Sequence, residues 1–224
     1  MSIAENIRKI QSELGENTRL VAVSKTKPNE DIIEAYNVGQ RLFGENKVQE
    51  LTGKYESLPK DIEWHFIGHL QTNKVKYIAP FISLIHGIDS FKLLKAVNKE
   101  AKKKGRVIDC LLQFHIATES TKFGLNAEEA EAILNDEQYK TLENVRIAGV
   151  MGMASYTDDE EQVRNEFRSL KNIFDRLKND FFADEESFKE ISMGMSGDYK
   201  LAVEEGSTLV RIGSSIFGAR VYNK

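Results

Sequence analysis

One pattern recurs along the chain and limits the folds open to it: a short apolar run, rich in β-branched residues, is followed by a helix-like stretch. The apolar runs lie at residues 20–25, 41–45, 64–68, 84–88, 107–116, 145–153, 191–195 and 209–213. Strands that alternate with helices form right-handed parallel β-α-β units. Eight such units in 224 residues predict one closed (β/α)8 barrel of the TIM type, a single domain over residues 1–224. An open doubly wound sheet is the alternative topology.

Two helices carry the clearest signals. An extra helix is predicted before the first strand, because four apolar residues lie three or four positions apart and share one helical face. These residues are Ile3, Ile7, Ile10 and Leu14. The sixth helix of the repeating pattern is predicted to begin with a capping box of Thr157 and Glu160. Residues 179–189, acidic with three phenylalanines, are predicted to form an irregular loop before the seventh strand.

Composition excludes several classes of partner. The 31 Lys and Arg residues against 35 Asp and Glu residues give a net charge of −4, which argues against nucleic acid and against an anionic membrane surface. No apolar run approaches the ~18 residues of a membrane span, and the first residues lack the pattern of a signal peptide. The single cysteine, Cys110, has no partner for an internal disulfide. We therefore expect a cytoplasmic protein.

Lys25 ends the first apolar run, at the end of the strands where barrels place their ligand sites. Strand alternation puts it on the same face as Val21 and Val23. A lysine that continues an apolar face is either a rim residue that extends its charge to solvent or a buried amine with a chemical task. The sequence alone leaves both explanations open.

Two loops after the last strands are candidates for binding a phosphate. Residues 191–198 and 211–215 each end a strand in serine and glycine before a helix. Backbone N–H groups at a helix start favour an anion, glycine allows close approach, and serine hydroxyls add donors. Ser196 and Asp198 would equally serve as ordinary helix caps. The residues alone do not decide between the two explanations.

Other chemistry has weaker support. No Walker loop and no dinucleotide fingerprint follows a strand. Neighbouring strand ends could gather His65, His69, His86 and His115 around a metal, but no carboxylate or cysteine spacing completes a metal pattern, so no metal is expected. Cys110 lies inside an apolar run and is interpreted as a small core residue.

Several of these stretches together resemble one known family. They are VSKTKP at 23–28, FGEN at 43–46, WHFIG at 64–68, LQ at 70–71, KFG at 122–124, SMGMS at 192–196, and RIGS with IFGAR over 211–220. In order and in sequence they are similar to pyridoxal phosphate homeostasis proteins of the YggS/PROSC type. The resemblance covers about residues 20–222 and implies a barrel like the N-terminal domain of alanine racemase, with pyridoxal 5′-phosphate (PLP) at the strand ends.

The resemblance also implies roles for particular residues. Lys25 would form a Schiff base with PLP, and Arg211 would face the pyridine nitrogen. An amine must be neutral to attack an aldehyde, which burial and a nearby cation both favour. A permanently protonated arginine opposite the ring nitrogen would discourage protonation of that nitrogen and so weaken the ring as an electron sink.

The remaining implied roles concern the phosphate and the ring. Ser192, Gly213 and Ser214 would hold the phosphate with Ser196 as a helper, and Asn46 would line the ring pocket. No catalytic residue is assigned. Two residues depart from the family pattern in ways that would alter the pocket wall: they are His69 and His115.

Three functions remain open at this point. The resemblance favours a PLP carrier or buffer, with apo PLP-dependent enzymes as recipients, and the lack of a racemase-type second domain suggests a monomer. A PLP-dependent amino-acid racemase, or a related enzyme of the same fold type, shares the barrel but takes an opposing tyrosine from a second domain. The chain ends at Lys224, soon after the eighth strand, and only Tyr156 and Tyr199 lie near strand ends, so we expect no enzyme. A barrel that binds another phosphorylated metabolite would leave Lys25 unexplained.

Overall fold

Eight parallel strands form the centre of the molecule. A computed structural model describes residues 2–118 and 123–219, so Lys122 and Arg220 of the motifs above lie outside the described residues. The strands are β1 (Arg19–Val23), β2 (Leu42–Glu45), β3 (Glu63–Phe66), β4 (Leu84–Ile88), β5 (Ile108–Phe114), β6 (Val145–Gly152), β7 (Glu190–Ser192) and β8 (Leu209–Ile212). Neighbours in chain order pair in parallel, and β1 also pairs with β8, so the sheet closes. The predicted barrel is confirmed.

Helices cover the outside of the barrel. They are α1 (Ile3–Glu13), α2 (Asn29–Asn37), α3 (Val48–Ser57), α4 (Val75–Ile78), α5 (Phe91–Lys103), α6 (Ala127–Asn135), α7 (Glu160–Phe181), α8 (Tyr199–Glu204) and α9 (Ser214–Phe217). The extra helix predicted at the start is α1, which begins with a capping box of Ser2 and Glu5. It packs on α2 and α9, and Asn6 donates a hydrogen bond to the Ile216 carbonyl at 2.9 Å. In residues 2–118 and 123–219, no helix is long and apolar enough to cross a membrane.

The first strand is shorter than predicted. It ends at Val23, and the chain then turns through Lys25, because the Ser24 carbonyl accepts a hydrogen bond from the Lys27 N–H at 3.0 Å. Lys25 therefore lies in a turn after the strand and not within it.

The start and end of α7 also differ from the prediction. Its N-cap is Asp159, whose side chain accepts a hydrogen bond from the Gln162 N–H at 3.1 Å. Thr157 lies two residues before this cap, and its hydroxyl accepts from the Asp159 N–H at 3.2 Å, so it cannot form the expected box with Glu160. The helix continues to Phe181, inside the segment predicted to be irregular, because that ring still packs on the core.

The barrel interior begins with an apolar layer. Its buried side chains are Val21, Leu84, Leu111, Ala148, Met151 and Leu209. Ala148 and Met151 both reach this layer because the register between β5 and β6 shifts at Ala148, which lies unpaired between Ile147 and Gly149. A Cβ on Gly149 would lie 1.8 Å from the Glu190 carbonyl oxygen, and its φ of 151° is one that few side chains tolerate, so glycine is required there. The larger core lies between strands and helices and contains Cys110, as predicted.

Candidate functional site

Lys25 leaves β1 at the carboxyl-terminal end of the barrel and is half-buried. The end of β1 packs directly on the loop after β8, since a Cβ placed on Gly213 would lie 3.3 Å from the Cβ of Val23. The register agrees, because Ala22 pairs with Ile212. The Lys25 turn and Gly213 therefore belong to the same part of the barrel rim.

A chain of four buried polar side chains crosses the interior above the apolar layer. Arg211 donates through Nη1 to the Ser192 hydroxyl at 2.5 Å and through Nη2 to the Gly152 carbonyl at 3.0 Å. The Ser192 Oγ lies 2.9 Å from His86 Nδ1, and His86 Nε2 lies 3.0 Å from His65 Nδ1. Because an arginine can only donate, the serine hydroxyl proton is available to His86. The histidine pair thereby orients the serine that holds the guanidinium.

Burial determines the protonation state of the arginine and the two histidines in this chain of polar side chains. It lowers the pKa of Arg211 to about 10, so the guanidinium stays protonated at neutral pH. It lowers the pKa of His65 to about 3 and the pKa of His86 well below its usual range, so both imidazoles are neutral. The two described acceptors of Arg211 are uncharged. The site thus offers a buried cation to an acceptor or anion that enters from the barrel mouth.

The loops after β7 and β8 meet beside Arg211. The Ser196 hydroxyl accepts long hydrogen bonds from the N–H groups of Gly213, at 3.3 Å, and Ser215, at 3.5 Å. Ser214 and Ser215 are exposed and Ser196 is half-buried. Hydroxyls and backbone N–H groups held loosely in this way suit a phosphate, whose oxygens accept several hydrogen bonds at once.

The opposite side of the rim is built by close backbone packing. A Cβ on Gly68 would lie 2.6 Å from the Asn46 carbonyl oxygen, and a Cβ on Gly87 would lie 2.8 Å from the Gly68 carbonyl oxygen. Only glycine allows strand ends to approach this closely. The half-buried Asn46, which follows β2, is thereby fixed next to the end of β3.

Most of the predicted site residues lie at this end of the barrel. They are Lys25, Asn46, Ser196, Arg211, Gly213 and Ser214. Ser192 is placed differently: it is fully buried, and its hydroxyl is engaged by Arg211 and His86. Its hydroxyl contacts the arginine, and its predicted role at the phosphate stays a prediction.

Sequence reasoning missed the role of His65 and His86, which it considered only as metal ligands. Strand alternation contained the signal, because His86 lies two residues after the lumen-facing Leu84. The other two histidines lie outside the chain of polar groups: His115 is exposed, and His69 bonds to Asp89 at 3.1 Å. The described part of the chain contains no group of three or more potential metal ligands.

Comparison with known proteins identifies relatives of this chain. The profile of the alanine racemase N-terminal domain family matches residues 1–221. A pyridoxal phosphate homeostasis protein of Aquifex aeolicus is 42% identical over 210 residues, 93% of this chain and 90% of the relative. The human pyridoxal phosphate homeostasis protein is 43% identical over 218 residues, 92% of this chain and 78% of the relative.

A solved structure adds a close match in three dimensions. PipY of Synechococcus elongatus is 34% identical, and its structure without PLP covers 97% of this chain and 100% of its own with a TM-score of 0.90. Its structure with PLP bound matches with a TM-score of 0.87.

The fold and the family profile define the class of protein: a parallel barrel of the alanine racemase N-terminal type. Within that class, the chain belongs to the family of pyridoxal phosphate homeostasis proteins.

Proposed function

We propose that the protein binds PLP reversibly as a Schiff base on Lys25 and buffers or delivers it in the vitamin B6 homeostasis of the cytoplasm. The observation that carries the proposal is the meeting of three groups at one end of the barrel. The half-buried Lys25 turn, the buried Arg211 cation and the loosely held donors of Ser196 and Gly213 lie there together. The PLP-bound structure of PipY supports it.

The residues fit the three functional groups of PLP. When bound, PLP supplies an aldehyde that condenses with a primary amine and releases water, and Lys25 provides that amine. Arg211 donates a hydrogen bond to the pyridine nitrogen. Ser196, Gly213 and Ser214 donate to the phosphate, while Asn46 lies beside the ring.

Arg211 also bears on how strongly the bound ring could activate an amino acid. As an obligate donor it keeps the pyridine nitrogen unprotonated, which limits how well the ring withdraws electrons. Ser192, with His86 and His65 behind it, holds the guanidinium in place. The site is therefore suited to retaining PLP with a ring that withdraws electrons less strongly than a protonated one.

An amino-acid racemase remains the competing function. It needs a tyrosine or equivalent acid opposite the lysine, but the Tyr199 hydroxyl is hydrogen-bonded to Glu13, and burial raises the pKa of Tyr199 to about 12. Tyr156 is fully exposed. We expect no exchange of the Cα proton of D- or L-alanine in deuterated water, measured by NMR. Exchange at rates typical of enzymes would favour the racemase.

Titration with PLP tests the binding proposal. Wild type should develop a yellow Schiff-base absorption band that saturates at one equivalent, and Lys25→Ala should lack it. Lys47→Ala is the matched control, because Lys47 is an exposed lysine just after Asn46, and it should behave as wild type. If Lys25→Ala still binds a phosphorylated ligand as tightly as wild type, the protein binds phosphate without a Schiff base.

Delivery to apo-enzymes needs a separate test. Loaded protein is mixed with an apo-aminotransferase in the presence of a phosphatase that destroys free PLP. Activity recovered despite the phosphatase indicates transfer on contact. Recovery abolished by the phosphatase limits the role to buffering.

A further inference from the structure

A buried ion cluster lies behind the Lys25 turn, on the outer side of the barrel between β2 and α3. The Lys54 ammonium is 2.7 Å from Glu45 Oε1 and 2.6 Å from Glu50 Oε1. The Glu45 side chain is fully buried and the Lys54 side chain is 7% exposed. None of these three residues is needed for the contacts with PLP proposed above.

Each member of the cluster bonds to the turn that carries Lys25. Lys54 Nζ donates to the Ser24 carbonyl at 2.8 Å, and Glu45 Oε1 accepts from the Ser24 hydroxyl at 2.6 Å. Glu50 Oε1 accepts from the Thr26 N–H at 2.6 Å. The cluster therefore holds the residues immediately before and after Lys25.

The turn needs such support. Thr26 has a φ of 65°, and it is the one non-glycine residue in the left-handed region within residues 2–118 and 123–219. A β-branched residue is strained there and keeps this conformation only where its surroundings impose it. Strained backbone of this kind concentrates at functional sites, and here it adjoins Lys25.

Stability alone is a poor explanation of the cluster. Buried ion pairs cost desolvation that offsets much of their attraction. The Glu45 Oε2 atom is buried without a hydrogen-bond partner among the described residues, and burial raises the pKa of Glu45. A cluster whose attraction is largely offset by desolvation, and which bonds to both sides of a strained turn, points to a geometric role.

We propose that Glu45, Glu50 and Lys54 are positioning residues that hold the Lys25 turn, so that the Lys25 amine meets the PLP aldehyde in a reactive orientation. The step they assist is condensation: the Nζ lone pair forms the C–N bond, and the aldehyde oxygen leaves as water with the two nitrogen protons. This inference rests on the proposed Schiff base at Lys25.

Two matched variants at position 50 separate positioning from charge. Glu50→Gln keeps an oxygen that accepts the Thr26 N–H, whereas Glu50→Leu removes it. Glu50 is half-buried, so both variants are expected to fold. The double variant Glu45→Gln/Lys54→Met removes both charges of the Glu45–Lys54 pair, so neither of these two is left buried alone, and the partly exposed Glu50 still accepts from the Thr26 N–H.

Three readouts are compared in wild type and variants. The first is the rate of Schiff-base formation with PLP, by stopped-flow absorbance. The second is the affinity for pyridoxine 5′-phosphate, which carries an alcohol in place of the aldehyde and reports the pocket without the reaction. The third is hydrogen exchange of the Thr26 amide in the absence of any cofactor.

The proposal predicts a specific split between these readouts. Glu50→Leu and the double variant should form the Schiff base about tenfold more slowly, since a lost hydrogen bond is worth roughly one such factor. Their Thr26 amide should exchange faster, and their affinity for the alcohol analogue should change less than about twofold. Glu50→Gln should stay close to wild type in all three readouts.

Control outcomes identify which claim fails. Leu177→Ala in α7 lowers stability far from the turn and should leave the rate unchanged, which separates positioning from general destabilisation. An unchanged rate in both Glu50→Leu and the double variant overturns the positioning role while the proposed function stands. Absence of the Schiff base in wild type overturns both.

Discussion

At the scale of single residues, Arg211 carries a buried positive charge inside the barrel, and its hydrogen bonds to described groups end on uncharged atoms. Replacing it by glutamine removes a charge-assisted bond worth about 1.5–3 kcal/mol. Arg211→Gln should therefore weaken PLP binding by about 10- to 100-fold, measured by absorbance titration. Arg211→Lys keeps the charge without the planar donor geometry, so its affinity for PLP should lie between those of wild type and Arg211→Gln. Unchanged affinity in Arg211→Gln would contradict a contact with the ring.

The buried histidines predict how stability depends on pH. Their pKa values are lowered by burial, to about 3 for His65, so the folded state binds fewer protons than the unfolded state below pH 6.5. The stability that the two neutral histidines contribute to the folded state is complete above pH 6.5 and is lost as the pH falls below that value. The free energy of unfolding should drop by about 1.4 kcal/mol per pH unit for each histidine.

Urea denaturation between pH 7 and pH 4.5 checks this slope. The double variant His65→Gln/His86→Gln cannot titrate at these positions, so its stability should fall less steeply than that of wild type. Parallel pH profiles would show that the two imidazoles accept protons in the folded state.

At the scale of elements, the order of strands and helices could be predicted because apolar periodicity is local and repeated eight times. Details that depend on contacts between residues distant in sequence could not be predicted. Lys25 continues the alternation of β1, yet the bond between Lys27 and Ser24 turns the chain two residues earlier. The orientation of the Ser192 hydroxyl depends on its hydrogen bonds with Arg211, nineteen residues away in sequence, and with His86, more than a hundred residues away.

The candidate site was predictable to a similar extent. Sequence motifs located the residues at the rim, because strand ends carry the loops of a barrel. The buried residues that hold this rim in place could not be predicted from the sequence. Glu45 lies on the face of β2 that α3 covers, and Lys54 lies on the same face of α3 as the buried Val48 and Leu51. Only the packing of α3 on β2 shows that the two charged side chains are buried together.

The close backbone packing at the ends of β2 and β3 leads to a prediction about stability. A methyl group on Gly68 would overlap the backbone of Asn46, with an oxygen 2.6 Å from the added carbon. Gly68→Ala should therefore force β2 and β3 apart and destabilise the protein by about 1–3 kcal/mol in urea denaturation. Gly53→Ala is the control, because a Cβ there meets nothing within 4 Å. Equal stability of both variants would contradict the close approach.

At the scale of the whole molecule, the described residues complete a closed barrel within one chain. The residues proposed to bind PLP also come from one chain. We expect a monomer, so light scattering should give a mass near 25.4 kDa with and without PLP. A stable dimer at micromolar concentration would contradict this expectation and would direct attention to residues that a second chain contributes.

The central claim for the molecule is that one lysine holds the cofactor. Wild-type protein is incubated with PLP, reduced with borohydride, digested and mapped by mass spectrometry. We expect a single phosphopyridoxyl adduct on Lys25, which is lost in Lys25→Ala. An adduct spread over exposed lysines, or its persistence elsewhere at full occupancy in Lys25→Ala, would contradict it.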